Sequence, residues 1–386
     1  MKWTNRGHEF DKIGENFKNK QIIFYDMAED TYHLFNRLQR INKNLIAAIV
    51  VDGDKNDEEI CAVKTITKLE FASMPIDNYI VVLCCTNAAN YRAQAHRQAI
   101  NLGYKDGESL FYYDTFEYYY LPIFLYYSLG ILYFKTLNMV ITTVCNLNCK
   151  GCLNYTSYNS NKHSFTLEEL KRNVDVVFNR VDFTGLFLIS GGEPFLHKDI
   201  IPLVDYIGEK YRKNILRLSI VTNGTIIPSE ELVKCLKRNN VYVQIDDYGR
   251  SIESLSKASD IEYILNDYGI KCEVLRVPYW INMDPVDEDG VDILAKVNAC
   301  NVPFTGTKSG RLFGCTYNQF AIEAGLISVD NLDNESLDLE KISDKRTILE
   351  MQMGYSPNGF WEFCKMCPGH EWMNNDSIVP GQQLGK

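Results

Sequence analysis

The stretch 143-TVCNLNCKGCLN-154 places three cysteines, Cys145, Cys149 and Cys152, close together directly after a short apolar run. Cysteine thiolates hold iron–sulfur clusters, and a cubane cluster contains four irons. Three thiolates therefore leave one iron open to a further ligand, as a catalytic zinc site keeps one position free while a structural site is closed. The stretch predicts an open metal-cluster site at the end of a strand.

The composition is that of a globular protein with more than one domain. The chain has 386 residues, of which 46% are hydrophobic and 23% are charged, and this length predicts two or three domains. The net charge of −10 argues against nucleic acid as a partner, because phosphate backbones are met by basic surfaces. The first twenty residues lack the apolar centre of a secretion signal, so we expect a cytoplasmic location, in which clustered cysteines are metal ligands rather than disulfides.

The first part of the chain alternates between strand and helix patterns and predicts a Rossmann-like domain over residues 1–110. Its first turn, 26-DMAED-30, contains no glycine and three acids, which disfavours a dinucleotide phosphate at that position. We therefore expect a scaffold or docking domain. The predicted strands cover residues 21–25, 47–51 and 79–84, and the predicted helices cover residues 31–42 and 88–102.

The aromatic run 118-YYYLPIFLYYSLGILYF-134 carries no charge. It is shorter than the roughly 20 residues that a membrane helix needs, and Pro122 interrupts it. Residues 111–135 are therefore predicted to be a buried connecting segment, and membrane contact is not expected.

From residue 137 onward a longer strand–helix alternation predicts a partial TIM-type barrel of up to six βα units over residues 136–295, in an α/β protein overall. In such barrels the loops at the carboxyl ends of the strands carry the chemistry. After residue 295 the rhythm stops, and residues 296–386 are predicted to form a small third domain. The predicted strands are 137–143, 185–190, 216–222, 241–245 and 271–277, and the predicted helices are 164–180, 198–212, 229–238 and 252–267.

The Cys-x3-Cys-x2-Cys loop, together with 191-GGEP-194 at the end of the second strand, resembles the radical S-adenosylmethionine (SAM) superfamily. The resemblance implies that Cys145, Cys149 and Cys152 hold a 4Fe–4S cluster whose open iron binds SAM. One electron, from a flavodoxin- or ferredoxin-type reductant, then cleaves SAM to a 5′-deoxyadenosyl radical that abstracts hydrogen from a substrate. The aromatic residue that commonly precedes the third cysteine in the family is Gly151 here, so the adenine-binding residues are not assigned.

The same resemblance implies which strand ends bind SAM. Two glycines let the backbone approach a ligand closely, and the Glu193 carboxylate can offset the charge of the methionine ammonium. Gln244 and Asp246 are candidates for the cofactor or the substrate, although polar residues also finish barrel strands for structural reasons. The residues predicted to bind SAM are Gly191, Gly192, Glu193, Pro194, Thr222, Asn223, Gln244 and Asp246.

A second cysteine set lies near the end of the chain. Alone, four thiolates predict a structural zinc site. Cys300 and Cys315 enclose Gly310 in a Cys-x9-Gly-x4-Cys spacing, and Cys364 and Cys367 form a Cys-x2-Cys pair. Together with the first motif, this spacing resembles the SPASM and twitch extensions of radical SAM enzymes. Because residues 368–386 contain no cysteine, the resemblance implies the twitch form, with one auxiliary 4Fe–4S cluster for electron transfer. The four ligands are Cys300, Cys315, Cys364 and Cys367. The remaining cysteines are predicted to be buried, inert thiols: Cys61, Cys84, Cys85, Cys235 and Cys272.

The substrate is predicted to be a sugar or nucleotide sugar that is dehydrogenated or epimerised, because twitch enzymes that this chain resembles include carbohydrate dehydrogenases. Arg276, Asp247 and Tyr279 join Asp246 as candidates for a base or a substrate clamp. Two alternatives stay open. One is a radical SAM enzyme that modifies peptides, and the other is a non-catalytic iron–sulfur electron carrier or zinc-binding protein.

Overall fold

The computed structural model describes residues 9–51, 59–60, 62–85, 89–286, 290–300, 305–370 and 373–385. The chain divides into two compact units, one comprising Gly7–Tyr133 and the other containing Phe134–Lys386. This division falls two residues before the predicted start of the barrel domain. The boundaries predicted at residues 110 and 295 stay predictions.

The first unit contains a six-stranded sheet in the order β3-β4-β2-β1-β5-β6. All neighbouring strands run parallel except β3 and β4, so the parallel sheet expected in this part of the chain is present. Its strands are β1 (Gln21–Tyr25), β2 (Ile46–Val51), β3 (Glu59–Ile60), β4 (Val63–Thr67), β5 (Tyr79–Leu83) and β6 (Leu110–Tyr112), and its helices are α1 (Glu9–Phe17), α2 (Tyr32–Ile41), α3 (Lys68–Ala72), α4 (Ala89–Asn101), α5 (Tyr113–Thr115) and α6 (Leu121–Leu129).

The aromatic run folds into a π-helical turn at Phe116–Tyr120 followed by α6. Pro122 is the second residue of α6, directly after the π-helical turn, and Gly130 ends the helix in the left-handed conformation. Leu121–Leu125 are buried. Among the described residues, no helix is both long and apolar enough to cross a membrane.

The second unit is built on an eight-stranded sheet in the order β11-β10-β9-β8-β7-β13-β14-β15. Its strands are β7 (Tyr133–Thr142), β8 (Phe183–Gly191), β9 (Ile215–Thr222), β10 (Tyr242–Asp246), β11 (Cys272–Leu275), β12 (Trp280–Ile281), β13 (Thr305–Lys308), β14 (Arg311–Phe313), β15 (Ser336–Asp338) and β16 (Ser377–Ile378). Its helices are α7 (Leu167–Phe178), α8 (Ile200–Tyr211), α9 (Glu230–Arg238), α10 (Gly249–Ile252), α11 (Ala258–Asp267), α12 (Ile293–Ala299), α13 (Thr316–Glu323) and α14 (Lys345–Gln352).

Local sequence signals explain where the helices begin. Thr166 and Glu169 form a capping box at the start of α7, with each side chain bonding the other's backbone N–H. Ser229 caps α9 in a similar way by accepting from Leu232 N–H. The helix predicted over residues 252–267 is instead two helices, α10 and α11, separated by a turn.

The sheet extends beyond the strands that the alternation predicted. Strand β13 runs parallel to β7, pairing Thr305 with Leu137 and Thr307 with Met139. Strands β14 and β15 then continue antiparallel. Residues beyond 295 therefore supply part of the same sheet that carries the first cysteine loop.

Candidate functional site

The carboxyl ends of β7 to β10 surround a cavity of about 240 Å³, referred to below as the cofactor cavity. All three cysteines of the first loop line this cavity. Predicted site residues at the ends of β8, β9 and β10 line it as well. Of the predicted site residues, the cavity wall contains Cys145, Cys149, Cys152, Gly191, Gly192, Thr222, Asn223 and Asp246. Glu193, Pro194 and Gln244 are not part of this wall.

Backbone and amide N–H groups point at the sulfurs of the cysteine loop. Leu147 N–H lies 3.4 Å from the Cys145 sulfur, and Asn223 Nδ2 lies 3.6 Å from the same atom. Gln383 Nε2 lies 3.1 Å from the Cys149 sulfur. Such donors stabilise a thiolate, which is the form of cysteine that binds metal.

Burial raises the pKa of Cys145 to about 11 and that of Cys149 to about 12, with smaller contributions from neighbouring thiols. A lone thiolate is therefore disfavoured at these positions, and bound cationic iron would offset that penalty. Three soft sulfur donors with N–H groups around them, on the wall of a cavity, fit a thiolate-bound iron–sulfur cluster.

The two glycines of 191-GGEP-194 allow the chain to cross close to the end of β7. A β-carbon on Gly191, whose φ is +143°, would overlap the carbonyl oxygen of Thr142, and one on Gly192 would overlap that of Val144. Gly192 N–H donates to Thr142 O at 2.8 Å, and Glu193 N–H donates to Val144 O at 2.9 Å. Glycine is thus required at both positions because the backbone here contacts the backbone of the cysteine loop. The sequence predicted a different reason for the glycines, a close approach of the backbone to a ligand.

The Glu193 carboxylate is engaged by groups of the protein itself, and its contact with the methionine ammonium stays a prediction. Its side chain is fully buried. One carboxylate oxygen accepts from Phe195 N–H (3.0 Å) and Thr222 Oγ1 (2.9 Å), and the other accepts from Asn223 N–H at 2.7 Å. Burial raises the pKa of Glu193, and these donated hydrogen bonds act in the opposite direction. The residue fastens the loop after β8 to the loop after β9.

The loop after β9 is in turn fastened to the cysteine loop. Asn223 Nδ2 donates to Asn146 Oδ1 at 3.0 Å, and Asn146 Nδ2 donates to Thr225 Oγ1 at 2.8 Å. Pro194 is buried at the start of a short 3-10 helix and contributes its rigid backbone rather than a contact with the cavity. The three loops therefore form one hydrogen-bonded frame around the cofactor cavity.

A second cavity of about 290 Å³ lies beside the first and shares five wall residues with it: Leu153, Asp246, Tyr248, Trp280 and Tyr317. We call it the substrate cavity. Asp246 accepts from Gln244 Nε2 at 2.9 Å and from Tyr248 OH at 3.0 Å. Burial raises the pKa of Asp246, and these hydrogen bonds partly counter the effect.

Of the other candidates for a base or a substrate clamp, only Tyr279 lies in the wall of a described cavity. Tyr279 lines the substrate cavity and is largely exposed. Arg276 forms an ion pair with Asp247 at 2.8 Å, and neither residue is in the wall of either cavity. Burial alone would raise the pKa of Asp247, but hydrogen bonds from Ser256, Gly249 N–H and Arg276 outweigh it, so the pKa lies below its ordinary value.

Several wall residues were not identified from the sequence. Tyr317, Trp280 and Tyr248 line both cavities, and His370 lines the substrate cavity. The rings of Tyr248 and Trp280 pack edge to face with centroids 4.9 Å apart. Trp280 lies beyond the last predicted barrel strand, and Tyr317 follows a cysteine of the second set, so neither position belongs to the strand–helix pattern used to find the site.

The second cysteine set is partly exposed at all four positions. Burial raises the pKa of Cys364 to about 12, and Cys367 and Cys300 raise it further; burial likewise raises the pKa of Cys315, with further increases from the other three thiols. Gly369 N–H lies 3.4 Å from the Cys367 sulfur. That these four thiols hold a cluster stays a prediction.

Within the described parts of the chain, no group of three or more His, Cys, Asp or Glu side chains is arranged so that it could hold a metal ion. Of the cysteines predicted to be inert, Cys84, Cys85 and Cys235 are buried, while Cys272 is partly exposed on β11. Cys61 lies outside the described residues.

Residues 139–275 match the model of the radical SAM superfamily. This segment holds the cysteine loop, 191-GGEP-194 and the strand ends of the cofactor cavity. The match confirms, at the level of the superfamily, the resemblance drawn from the cysteine loop and the glycine motif.

Individual proteins resemble parts of the chain. The probable GTP 3′,8-cyclase of Methanocaldococcus jannaschii is 28% identical over 150 residues, which cover 38% of this chain and 48% of the cyclase. The antilisterial bacteriocin subtilosin biosynthesis protein AlbA of Bacillus subtilis is 26% identical over 154 residues, covering 37% of this chain and 33% of AlbA. The chain therefore spans less than half the length of either relative.

Among solved structures, that of BtrN in complex with AdoMet and 2-DOIA covers 65% of this chain and 98% of its own, with 16% identity and a TM-score of 0.41. A TM-score at this level does not establish a common fold over the aligned length.

Proposed function

We propose that the chain is a radical SAM enzyme that abstracts hydrogen from a sugar-like substrate, such as a nucleotide sugar. The observation that carries the proposal is the convergence of Cys145, Cys149 and Cys152 with the ends of three further strands on one cavity of about 240 Å³. When bound, the first cluster with SAM supplies a 5′-deoxyadenosyl radical, and the auxiliary cluster supplies an electron acceptor.

The residues of the cofactor cavity have distinct tasks in this proposal. Cys145, Cys149 and Cys152 hold the cluster. Thr222 and Asn223 line the same cavity and offer polar groups to SAM, while Glu193 acts behind them by fixing the loop that carries them. The frame of hydrogen-bonded loops keeps these groups in place before SAM binds, so little ordering is required on binding.

The substrate cavity has the mixture of rings and polar groups that suits a sugar. Tyr279 and Trp280 offer ring faces to the apolar side of a sugar, and Gln244, Asp246 and His370 offer hydrogen bonds to hydroxyl groups. Because Asp246 lines both cavities, it is placed to take the hydroxyl proton of a substrate whose carbon has lost its hydrogen atom to the 5′-deoxyadenosyl radical. Loss of one further electron from that substrate gives a ketone, whereas return of a hydrogen atom gives an epimer.

The class of reaction is tested by anaerobic purification and reconstitution. Two 4Fe–4S clusters require about eight irons per chain, and reduction in the presence of SAM should yield 5′-deoxyadenosine and methionine. Replacing Cys145, Cys149 and Cys152 by alanine should abolish this cleavage, whereas replacing Cys364 and Cys367 should impair substrate turnover more than cleavage. Cys272→Ala, on an edge strand away from both sets, is the matched control and should retain both activities. Zinc in place of iron, or no 5′-deoxyadenosine, would refute the proposal.

The substrate class is tested with nucleotide sugars deuterated on the ring carbons. Deuterium should appear in 5′-deoxyadenosine with at least one of them. If deuterium reached 5′-deoxyadenosine from a labelled peptide but from none of the sugars, the radical SAM activity would stand and the proposed substrate class would be wrong.

A further inference from the structure

The end of the chain packs along the first cysteine loop. Gln383 forms an antiparallel bridge with Cys149. Lys150 N–H donates to Gln382 O at 2.7 Å, and Leu384 N–H donates to Asn148 O at 2.8 Å. Residues 377–385, called the tail below, thus pair with the backbone between two of the three cysteines.

Other contacts hold the tail in place. Strand β16 pairs with β12, setting Ile378 opposite Trp280. A β-carbon on Gly151 would overlap the end of the Ile378 side chain. The space beside the third cysteine, where the superfamily pattern leads one to expect an aromatic residue, is therefore filled by Ile378. Farther along, Ser251 Oγ donates to Pro380 O at 2.7 Å.

The amide of Gln383 has a defined orientation. Its oxygen accepts from Asn148 N–H at 2.7 Å, while its nitrogen donates to Gly381 O at 2.7 Å and lies 3.1 Å from the Cys149 sulfur. If the amide were rotated by 180°, its NH₂ group would face a backbone N–H and its oxygen would face a carbonyl oxygen. The nitrogen is therefore directed at the sulfur, although Gln383 as a whole is exposed.

We propose that the tail is part of the cluster site and that Gln383 donates an N–H···S hydrogen bond to Cys149, which makes the first cluster easier to reduce. The inference rests on the proposed function, because it requires a cluster on Cys145, Cys149 and Cys152. A hydrogen bond to a ligand sulfur stabilises the more negative, reduced form of a cluster and so raises its reduction potential. Gln383 is a positioning and tuning residue, since it touches a ligand rather than the reacting atoms.

The test compares Gln383→Leu, which removes the donor at similar volume, with Gln382→Leu, the neighbouring exposed residue whose side chain makes no bond to a cysteine in the described structure. The full-length reconstituted protein is titrated with dithionite and redox mediators, and the first cluster is followed by the electron paramagnetic resonance signal that changes when SAM is added. Gln383→Leu should lower the ratio of reduced to oxidised cluster about tenfold at a given potential, equal to 59 mV for one electron. Gln382→Leu should match the wild type.

Each outcome bears on the proposal. Equal potentials for Gln383→Leu and the wild type, at equal iron content, would overturn it. If Gln383→Leu loses iron, Gln383→Met decides, because it is a second substitution that removes the donor without adding a charge: a lowered potential supports the proposal and an unchanged potential overturns it. A wild-type protein with no SAM-sensitive signal would instead refute the proposed function, and the tuning role with it.

Discussion

Glu193→Gln tests whether the glutamate of the glycine motif acts on the protein itself or on the ligand. In the structure its two carboxylate oxygens accept three hydrogen bonds, from Phe195 N–H, Thr222 Oγ1 and Asn223 N–H, at 2.7 to 3.0 Å. Gln retains one oxygen for two of these donors and presents an NH₂ group to the third. Because the site is fully buried, water cannot replace the lost acceptor.

The cost follows from that geometry. A buried donor left without a partner costs about 1–3 kcal/mol, and the remaining two bonds lose the strength that a charged acceptor gave them. We expect Glu193→Gln to reduce the local opening free energy of the loops by about 2 kcal/mol, which raises amide exchange about 30-fold because 1.4 kcal/mol is a factor of ten. Glu193→Ala, which removes all three acceptors, should have a larger effect.

The assay is hydrogen–deuterium exchange of the protein without SAM, read in peptides that contain the amides of Phe195 and Asn223. Glu209→Gln, an exposed glutamate on α8, is the control and should exchange like the wild type. If the carboxylate served only to neutralise a ligand ammonium, removing a buried charge would leave exchange unchanged or slower without SAM. That result would refute the role assigned to Glu193.

Two further predictions concern carboxylates elsewhere in the second unit. If Asp246 takes the substrate proton, Asp246→Asn should lower the amount of product formed per 5′-deoxyadenosine by at least about 100-fold, because general bases contribute about 10²–10⁴ to the rate. Product and 5′-deoxyadenosine are measured in the same reaction. An equal fall in both would contradict this role of Asp246. Hydrogen bonds from Arg238 and Asn239 hold the pKa of Asp205 below its ordinary value in the folded protein. The ionised carboxylate therefore stabilises the folded state at pH values above the unfolded-state pKa of about 3.9. This stabilisation is lost as the pH falls through the lower, folded-state pKa. Urea unfolding should therefore show wild type more stable than Asp205→Asn at pH 7, with a smaller difference below pH 4, and a constant difference would contradict the assignment.

The parts of the site that lie at strand ends could be predicted from the sequence, because the strand–helix alternation is a local signal. Cys145, Gly191, Thr222 and Asp246 each follow or end a strand whose apolar run is evident, and parallel strands bring those ends to one edge. The capping box of Thr166 was predictable for the same reason.

The parts that depend on long-range packing could not be predicted in this way. Gln383 reaches Cys149 across more than two hundred residues, and nothing in the composition of the tail distinguishes it from a surface segment. The orientation of Glu193 depends on which neighbouring loop supplies donors, which a motif does not state. Strand β13 is short and follows a cysteine-rich region, so its place beside β7 is set by tertiary pairing rather than by its own pattern.

The position of β13 beside β7 also limits how the chain can be divided. A protein that stopped at residue 295 would expose one side of β7 as an edge strand, with the N–H and C=O groups that pair with Thr305 and Thr307 left open. Unprotected edges of this kind invite pairing with another chain. Residues 134–295 and the second cysteine region, which lie in one compact unit, are therefore best kept together for expression and shortening.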